Sequence, residues 1–298
     1  MLNVNYEYYK IFYYVAKYSN FTRAARVLGS SQPNVTRAMN SLEQQMDCRL
    51  FIRTNRGVQL TPAGEHLYTR VSAAMIQLQA AEQELSADAG LEHGSISIGV
   101  SETALNIFLL EHLKSFHMAY PGIRLKIYNH STPQAVRAVQ SGEIDFAVVT
   151  TPVEVSAPLK SVPLMPFQEI LIGGRTFADL EKQELSLADL SSYPMICLGP
   201  ESVTGQFYRR LFQEYGLELQ PDTELATTDQ ILPMVRAELG LAFVPEPMAR
   251  ESIRRDEIIK IALRESIPER MVCMIYDRQR QISPAARRMK SALTDPQG

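Results

Sequence analysis

Leu67, Val71, Ala74, Leu78, Ala81 and Leu85 recur at intervals of 4, 3, 4, 3 and 4. That spacing is the seam of a long helix, held for nearly three heptads and narrow enough to suit a partner helix. Thr61-Pro62 gives the helix its start, with Thr as N-cap, Pro in the first turn and Glu65 near the positive end of the dipole. Gly90 gives it a stop. A helix over 62–90 divides the 298 residues into a head, 1–61, and a body, 91–298, and two such parts cannot share one core across it.

Charge follows the same division. The chain carries 30 Lys and Arg against 33 Asp and Glu, a net charge of −3 that excludes a uniformly basic nucleic-acid coat protein. Residues 1–65 hold eight basic side chains and four acidic ones, while the remaining 233 hold 22 and 29. A +4 head on a −7 body confines contact with a polyanion to one end. Hydrophobic residues make up 45%, enough for real cores. The three cysteines, Cys48, Cys197 and Cys273, are odd in number and widely spaced, which implies a reducing compartment and no disulfide framework. There is no CxxC pair, and His112 and His117 stand five apart, off a common helical face, so no metal site is expected. With no basic-then-apolar leader and no run of 18 apolar residues, neither secretion nor a membrane partner is expected, and the cytoplasm is the default location.

The head reads as short helices. Tyr9, Phe12, Tyr13 and Ala16 form one apolar face, Ser19-Asn20 breaks the helix, and Phe21–Leu28 restarts it with Ala24, Ala25 and Leu28 inward. Gly29-Ser30-Ser31 is a tight turn, and Pro33 lies in the first turn of a third helix. That helix turns Val35, Met39 and Leu42 inward, and Asn34, Arg37, Ser41 and Gln44 make a wholly polar outer face. Two helices joined at this spacing form a helix-turn-helix. Leu50-Phe51-Ile52, the turn Asn55-Arg56-Gly57 and Val58-Gln59-Leu60 add a small basic hairpin, or wing.

From Gly94 strands and helices alternate. Strands are expected at 96–100, 123–128, 146–149, 169–172, 195–198, 224–226, 242–244, 258–261 and 271–276, giving an α/β body with largely parallel sheets. Its length implies two lobes, with crossovers at the Pro-marked stretches Val162-Pro163 and Ile267-Pro268. Lobe I is then 91–162 with 268–298, and lobe II is 163–267.

Specific residues now narrow the reading. Phe12, Val15-Ala16, Phe21-Thr22-Arg23-Ala24-Ala25, Leu28, Ser31-Gln32-Pro33-Asn34-Val35-Thr36-Arg37, Leu42-Glu43, Leu50-Phe51, Arg53 and Leu60-Thr61-Pro62-Ala63-Gly64-Glu65 fall in one register. In them the chain resembles the LysR-type transcriptional regulators. Tyr120-Pro121-Gly122, Gly142-Glu143-Ile144-Asp145 and Gly240-Leu241-Ala242 extend the resemblance over the body. The resemblance implies a winged helix-turn-helix, a dimerising linker helix and a two-lobed effector domain like a periplasmic binding protein. Departures are few: Ser19-Asn20 stands where Gly-Ser is frequent, and Asp47 where Gly is common.

The candidate sites follow. DNA contact is expected from Ser31, Gln32, Pro33, Asn34, Thr36 and Arg37, because Arg pairs bidentately with guanine and Asn with adenine. Arg53 and Arg56 in the wing suit phosphates or the minor groove. Six tyrosines between Tyr6 and Tyr18 read mainly as packing. Leu67, Val71, Ala74, Leu78, Ala81 and Leu85 are the expected dimer seam, in a homodimer or homotetramer, and RNA polymerase stays open as a partner. Segments following strands supply Ser101, Glu102, Thr103, Ser131, Thr132, Thr150, Ser202, Thr204, Thr227 and Thr228 for a small-molecule effector. Hydroxyls at helix N-termini favour a small carboxylate, although the same residues serve as N-caps. The chain has no G-x-S-x-G, P-loop, G-x-G-x-x-G or H-E-x-x-H motif, so neither catalysis nor a cofactor is expected. Two other readings stay open here: an effector-free architectural DNA-binding protein, and a two-lobed solute-binding protein or enzyme.

Overall fold

The computed structural model describes residues 4–54, 57–86 and 93–294, with backbone alone for 53–54 and 79–86. In the head, α1 (Tyr6–Tyr18), α2 (Phe21–Val27) and α3 (Gln32–Met46) are followed by a hairpin, β1 (Phe51–Thr54) and β2 (Gly57–Leu60). Every helix start has a chemical reason. Asn5 accepts from the Glu7 N–H, Asn20 from Arg23 and Ser31 from Asn34, each meeting a donor that the first turn leaves unpaired. The left-handed ends of α1 and α3 fall on Ser19 and Asp47, both at φ 48°. Asn20, beside Ser19, is extended and caps α2 instead.

Phe12, Val15, Ala24, Val35, Met39, Leu42 and Leu50 fill one small core. Glu43 is an unexpected member, 9% exposed. Its Oε1 accepts from the backbone N–H of Leu50 (2.7 Å) and Phe51 (3.1 Å), and its Oε2 meets Arg49 at 3.1 Å. A buried carboxylate thus ties the end of α3 to the first wing strand. Gly64 has a similar role by close approach, since a Cβ there would lie 2.2 Å from the Leu50 carbonyl oxygen.

Helix α4 spans Pro62–Ser86, its first turn held by Thr61, which accepts from the Gly64 N–H and donates to the Arg49 carbonyl. The heptad seam does not serve one purpose along its length. Val71 is buried in the head core, and Leu67 and Met75 pack against it. Ala74 is exposed, and Leu78 is 61% exposed. The expectation that all six seam residues face a partner helix is therefore corrected at Leu67 and Val71. The head is too small to close its own core and uses the first turns of α4 to do so. Ala81 and Leu85 have no described side chains, and the stop at Gly90 lies outside the described residues.

The body holds two sheets. The first joins β3 (Gly94–Val100), β4 (Ile123–Asn129), β5 (Phe146–Thr150), β6 (Leu159–Phe167) and β13 (Arg270–Asp277) in the order β4-β3-β5-β13-β6. The second joins β7 (Glu169–Gly174), β8 (Glu184–Leu185), β9 (Met195–Leu198), β10 (Thr223–Leu225), β11 (Leu241–Pro245) and β12 (Ile258–Leu263) in the order β10-β9-β11-β7-β12-β8. Around them run α5 (Glu102–Ala104), α6 (Leu110–Ala119), α7 (Thr132–Ser141), α8 (Val203–Glu214), α9 (Ile231–Arg236), α10 (Glu246–Arg254) and α11 (Pro284–Thr294). A π-helical turn, Leu105–Leu109, joins α5 to α6.

Both sheets are mixed rather than largely parallel. β13 runs antiparallel to β5 and β6, and β7 antiparallel to β11 and β12, because each crossing delivers the chain to its new sheet in reverse. The first crossing also lies elsewhere than expected. β6 runs straight through Val162-Pro163, pairing Pro163 with Cys273 and Pro166 with Met271, and the chain changes sheets at Gln168. β6 is an edge strand, where a residue without an N–H is tolerated, so the prolines mark an edge and not a break. The second crossing, between β12 and β13, contains Ile267-Pro268 as expected.

Candidate nucleic-acid interface and ligand cleft

Helix α3 buries Val35, Ala38, Met39 and Leu42 and leaves its other face to solvent. On that face Ser31, Gln32, Pro33, Asn34 and Arg37 are exposed and Thr36 is half-buried. They are not equally free. Ser31 caps the helix, and the Gln32 amide donates to the Thr36 hydroxyl at 2.9 Å. Among the described residues nothing engages the side chains of Asn34 and Arg37. The start of the helix therefore offers a bidentate cation and a free amide, the groups suited to base edges, on a rigid support. Arg53 lies on β1 opposite Val58, with no described side chain, and Arg56 lies outside the described residues. Tyr13 stacks on Tyr68 and Tyr14 on Tyr18, while Arg23 sits over the Tyr18 ring, so these tyrosines act in packing.

In the body, all ten hydroxyl-segment candidates line a single cavity of about 390 Å³ between the two sheets. Ser101, Glu102, Thr103, Ser131, Thr132 and Thr150 come from the first sheet's side, and Ser202, Thr204, Thr227 and Thr228 from the second's. The capping role is real for some of them. Ser202 accepts from the Gly205 N–H, Ser131 is held by the Gln134 side chain, and Thr227 donates to Asp229. Others have no such engagement. The Ser101 Oγ is buried without a partner among the described residues, as is Nδ1 of His130, which also lines the cavity. Thr103 and Thr132, 4% and 7% exposed, meet no described partner through their hydroxyls.

The sequence reading missed an ion pair buried behind the cleft lining. Arg270 opens β13 and Glu169 opens β7, one at each crossing, and their side chains are 1% and 0% exposed in a direct ion pair. The Arg270 guanidinium also donates through Nε to the Thr151 carbonyl (2.7 Å) and through Nη2 to both the Thr150 and Thr204 hydroxyls (3.1 Å each). It lies over Phe207 and Phe167, with ring centroids 4.9 and 5.4 Å away. Burial pushes the Glu169 carboxyl above the usual range, against the opposing pull of Arg270. The sequence expectation opened β13 one residue later, at Met271, and so left Arg270 outside the site. Its only sequence signal, a charge between a proline and an apolar run, acquires meaning through a partner 101 residues away. Asn129, Gln134 and Glu201 also line the cavity and were missed.

A free recognition helix with a wing on one unit, and a hydroxyl-lined cavity between two mixed sheets on the other, define a DNA-binding regulator that takes a small molecule. Residues 7–65 match the family model for the bacterial regulatory helix-turn-helix protein of the lysR family, and residues 89–296 match the LysR substrate binding domain. The chain belongs to the LysR family of transcriptional regulators. It is 30% identical over 267 residues to the HTH-type transcriptional regulator YofA of Bacillus velezensis, covering 90% of each chain. It is 28% identical over 245 residues to the regulator BudR of Raoultella terrigena, covering 81% of this chain and 84% of the relative. Two solved structures share the fold. The LysR-family regulator CbnR has a TM-score of 0.69 at 20% identity, covering 97% of this chain and 98% of that one. A full-length, singly substituted OxyR of Pseudomonas aeruginosa has a TM-score of 0.76 at 19% identity, covering 98% and 93%. CbnR has also been solved in complex with its target DNA. No described helix is long and apolar enough to cross a membrane.

Proposed function

We propose that this regulator reads DNA through Asn34, Thr36 and Arg37, with Ser31, Gln32 and Pro33 setting the helix entry and Arg53 and Arg56 on phosphates. The later part of the linker, from Ala74 through Leu78 to Ala81 and Leu85, joins two copies, and Leu67 and Val71 support it from the head. A small-molecule effector, a small carboxylate, binds between lobes that meet at Gln168, and the chain works in the cytoplasm without catalysing a reaction. One observation carries the effector reading: ten hydroxyl-bearing or adjacent positions, spread over 128 residues of sequence, line one cavity. Chance placement of surface hydroxyls does not gather them so. At about 300–1,000 Å³ for ligand pockets in general, the cavity suits a small molecule.

The test uses Ser101→Ala and Thr132→Val, which remove hydroxyls that no described protein group engages. A thermal-shift screen against small carboxylates and aromatic acids should find a stabilising compound for the parent chain. Each variant should lose that shift and keep operator binding without the compound. A normal response in both variants would overturn the cleft reading.

A further inference from the structure

Two polar atoms of the cleft are buried without a partner among the described residues, Ser101 Oγ and His130 Nδ1. They come from neighbouring strand ends. β3 and β4 run parallel with Val100 paired to Asn129, so Ser101 and His130 leave the sheet side by side. The His130 N–H donates to the Val100 carbonyl at 2.9 Å, and the Ser101 N–H to the Val148 carbonyl of β5 at 3.1 Å. Tyr128 stacks on the imidazole, with ring centroids 6.0 Å apart and planes 13° from parallel. At Gly99 a Cβ would lie 3.1 Å from His130 Nδ1, so that nitrogen sits against the backbone of β3. Gly99 and Ser101 share a strand face, which brings the two unpartnered atoms into one corner of the cavity that both residues line.

The other end of the same sheet edge has a different character. Thr150 ends β5, on the far side of β3, so about two strand spacings, roughly 10 Å, separate it from His130. Thr150 and Thr204 each accept a hydrogen bond from Arg270 Nη2 at 3.1 Å, which leaves both hydroxyl protons to give. That end suits a carboxylate, with donors in front and a buried cation behind them. The Ser101–His130 corner does not. Glu102 and Glu201 line the cavity, and neither lysine nor arginine does among the described residues. A second carboxylate in this corner would stand beside Glu102 with no lysine or arginine to balance it. Water serves a hydroxyl and an imidazole as donor and acceptor at once, and a ligand that displaces it must reproduce both roles. A ligand hydroxyl does so, with one proton and two lone pairs, whichever ring nitrogen carries the proton. An ether or a carbonyl only accepts.

We infer that the effector is a hydroxy acid, its carboxylate at Thr150 and Thr204 and its hydroxyl, several bonds away, at Ser101 and His130. The inference rests on the cleft reading above and narrows it. The carboxylate supplies attraction to the Arg270 end, and the hydroxyl selects among carboxylates of similar shape. An acid that lacks the hydroxyl displaces water from Ser101 and His130 and gives them nothing in return.

The experiment is calorimetry and thermal shift on the full chain with matched acids. The pairs are para-hydroxybenzoate and benzoate, para-hydroxyphenylacetate and phenylacetate, and gamma-hydroxybutyrate and butyrate, with para-methoxybenzoate as an ether that accepts without donating. At least one hydroxy acid should bind about ten times tighter than its deoxy partner, the scale of one hydrogen bond. His130→Phe keeps a ring to stack on Tyr128 and removes both nitrogens. It should weaken that hydroxy acid about tenfold and leave the deoxy acid unchanged, a selective loss that a merely structural role would not produce. Ser101→Ala should reduce the same preference. Absence of binding by every hydroxy acid overturns the inference, and so does an ether or deoxy acid that binds as tightly as the hydroxy acid. Full preference retained in both His130→Phe and Ser101→Ala overturns it too. If a deoxy acid binds equally well and loses binding in Thr132→Val, the cleft reading stands and only the hydroxyl fails. If Thr132→Val and Ser101→Ala both bind the stabilising acid normally, the cleft itself is wrong.

Discussion

The recognition face of α3 and the wall of the cleft are both polar surfaces, yet they are built in opposite ways. On α3, Asn34 and Arg37 stand in solvent, and the apolar side of the same helix holds them in place. In the cleft, Thr150 and Thr204 are fixed by Arg270, which is fixed in turn by Glu169 and wedged between Phe167 and Phe207. The difference follows from the partner each surface faces. A DNA duplex brings its own rigid array of acceptors and needs a few free side chains on a firm support. A small molecule brings few atoms and must find its hydrogen-bonding pattern already set. Changes on the helix should therefore alter binding and leave the fold intact, whereas changes beneath the cleft should reach the fold first.

The sharpest way to break this contrast is Arg270→Met. It removes the cation that holds the buried Glu169 carboxylate, which must then stay charged and unpaired or take up a proton, a loss of about 3–5 kcal/mol of stability. The double variant Glu169→Gln with Arg270→Met should recover much of that loss in urea denaturation. Equal stability of parent and Arg270→Met would remove Arg270 as the support of the cleft. Next in size is the linker, where Val71→Asp places a carboxyl in the head core and should cost about 3 kcal/mol. Leu78→Asp, at an exposed position, should change monomer stability by less than about 0.5 kcal/mol and instead lower association in sedimentation. If both variants affect association alone, the division of the seam is wrong.

Arg37→Ala tests the helix side of the contrast. It should cost about 1–3 kcal/mol in operator binding and relax preference at one base pair of each half-site. Its melting temperature should stay at the parent value, and a melting loss on the scale of Arg270→Met would erase the distinction. The smallest effect concerns Cys197, which lies in β9 with its thiol pushed up to about 11 by burial, Arg209 opposing and Glu224 and Asp222 reinforcing. At pH 8 only about one thiol in a thousand is then ionised, so alkylation of the folded chain should be slow and should quicken steeply as pH rises. Rapid labelling of Cys197 at pH 7 would show the wall beneath the cleft to be looser than the buried ion pair requires.

The sequence carried the positions of both sites to different depths. The α3 face was legible because helical periodicity separates Val35, Met39 and Leu42 from Asn34 and Arg37 within a dozen residues. The cleft hydroxyls were legible because each follows a strand, and strand ends of α/β sheets converge. Arg270 was not legible, since its role depends on Glu169, and no local pattern connects two residues a hundred positions apart. β6 was lost for a related reason, because Val162-Pro163 reads locally as a break and only the sheet order shows an edge. The seam was half legible: its spacing established a helix, but the same spacing serves the head core at Val71 and solvent at Leu78.

The prolines of β6 have one more effect. An exposed sheet margin is a template on which another copy of the chain can add a strand, and aggregation begins at such margins. At Pro163 and Pro166 no amide hydrogen exists to receive an incoming carbonyl, and the locked φ resists the extended geometry a newcomer would require. The first sheet is thereby closed to growth on its β6 side, leaving β4 as its other margin. Residues that conceal the strand from a local reading of the sequence also protect the folded chain from strand addition by its neighbours.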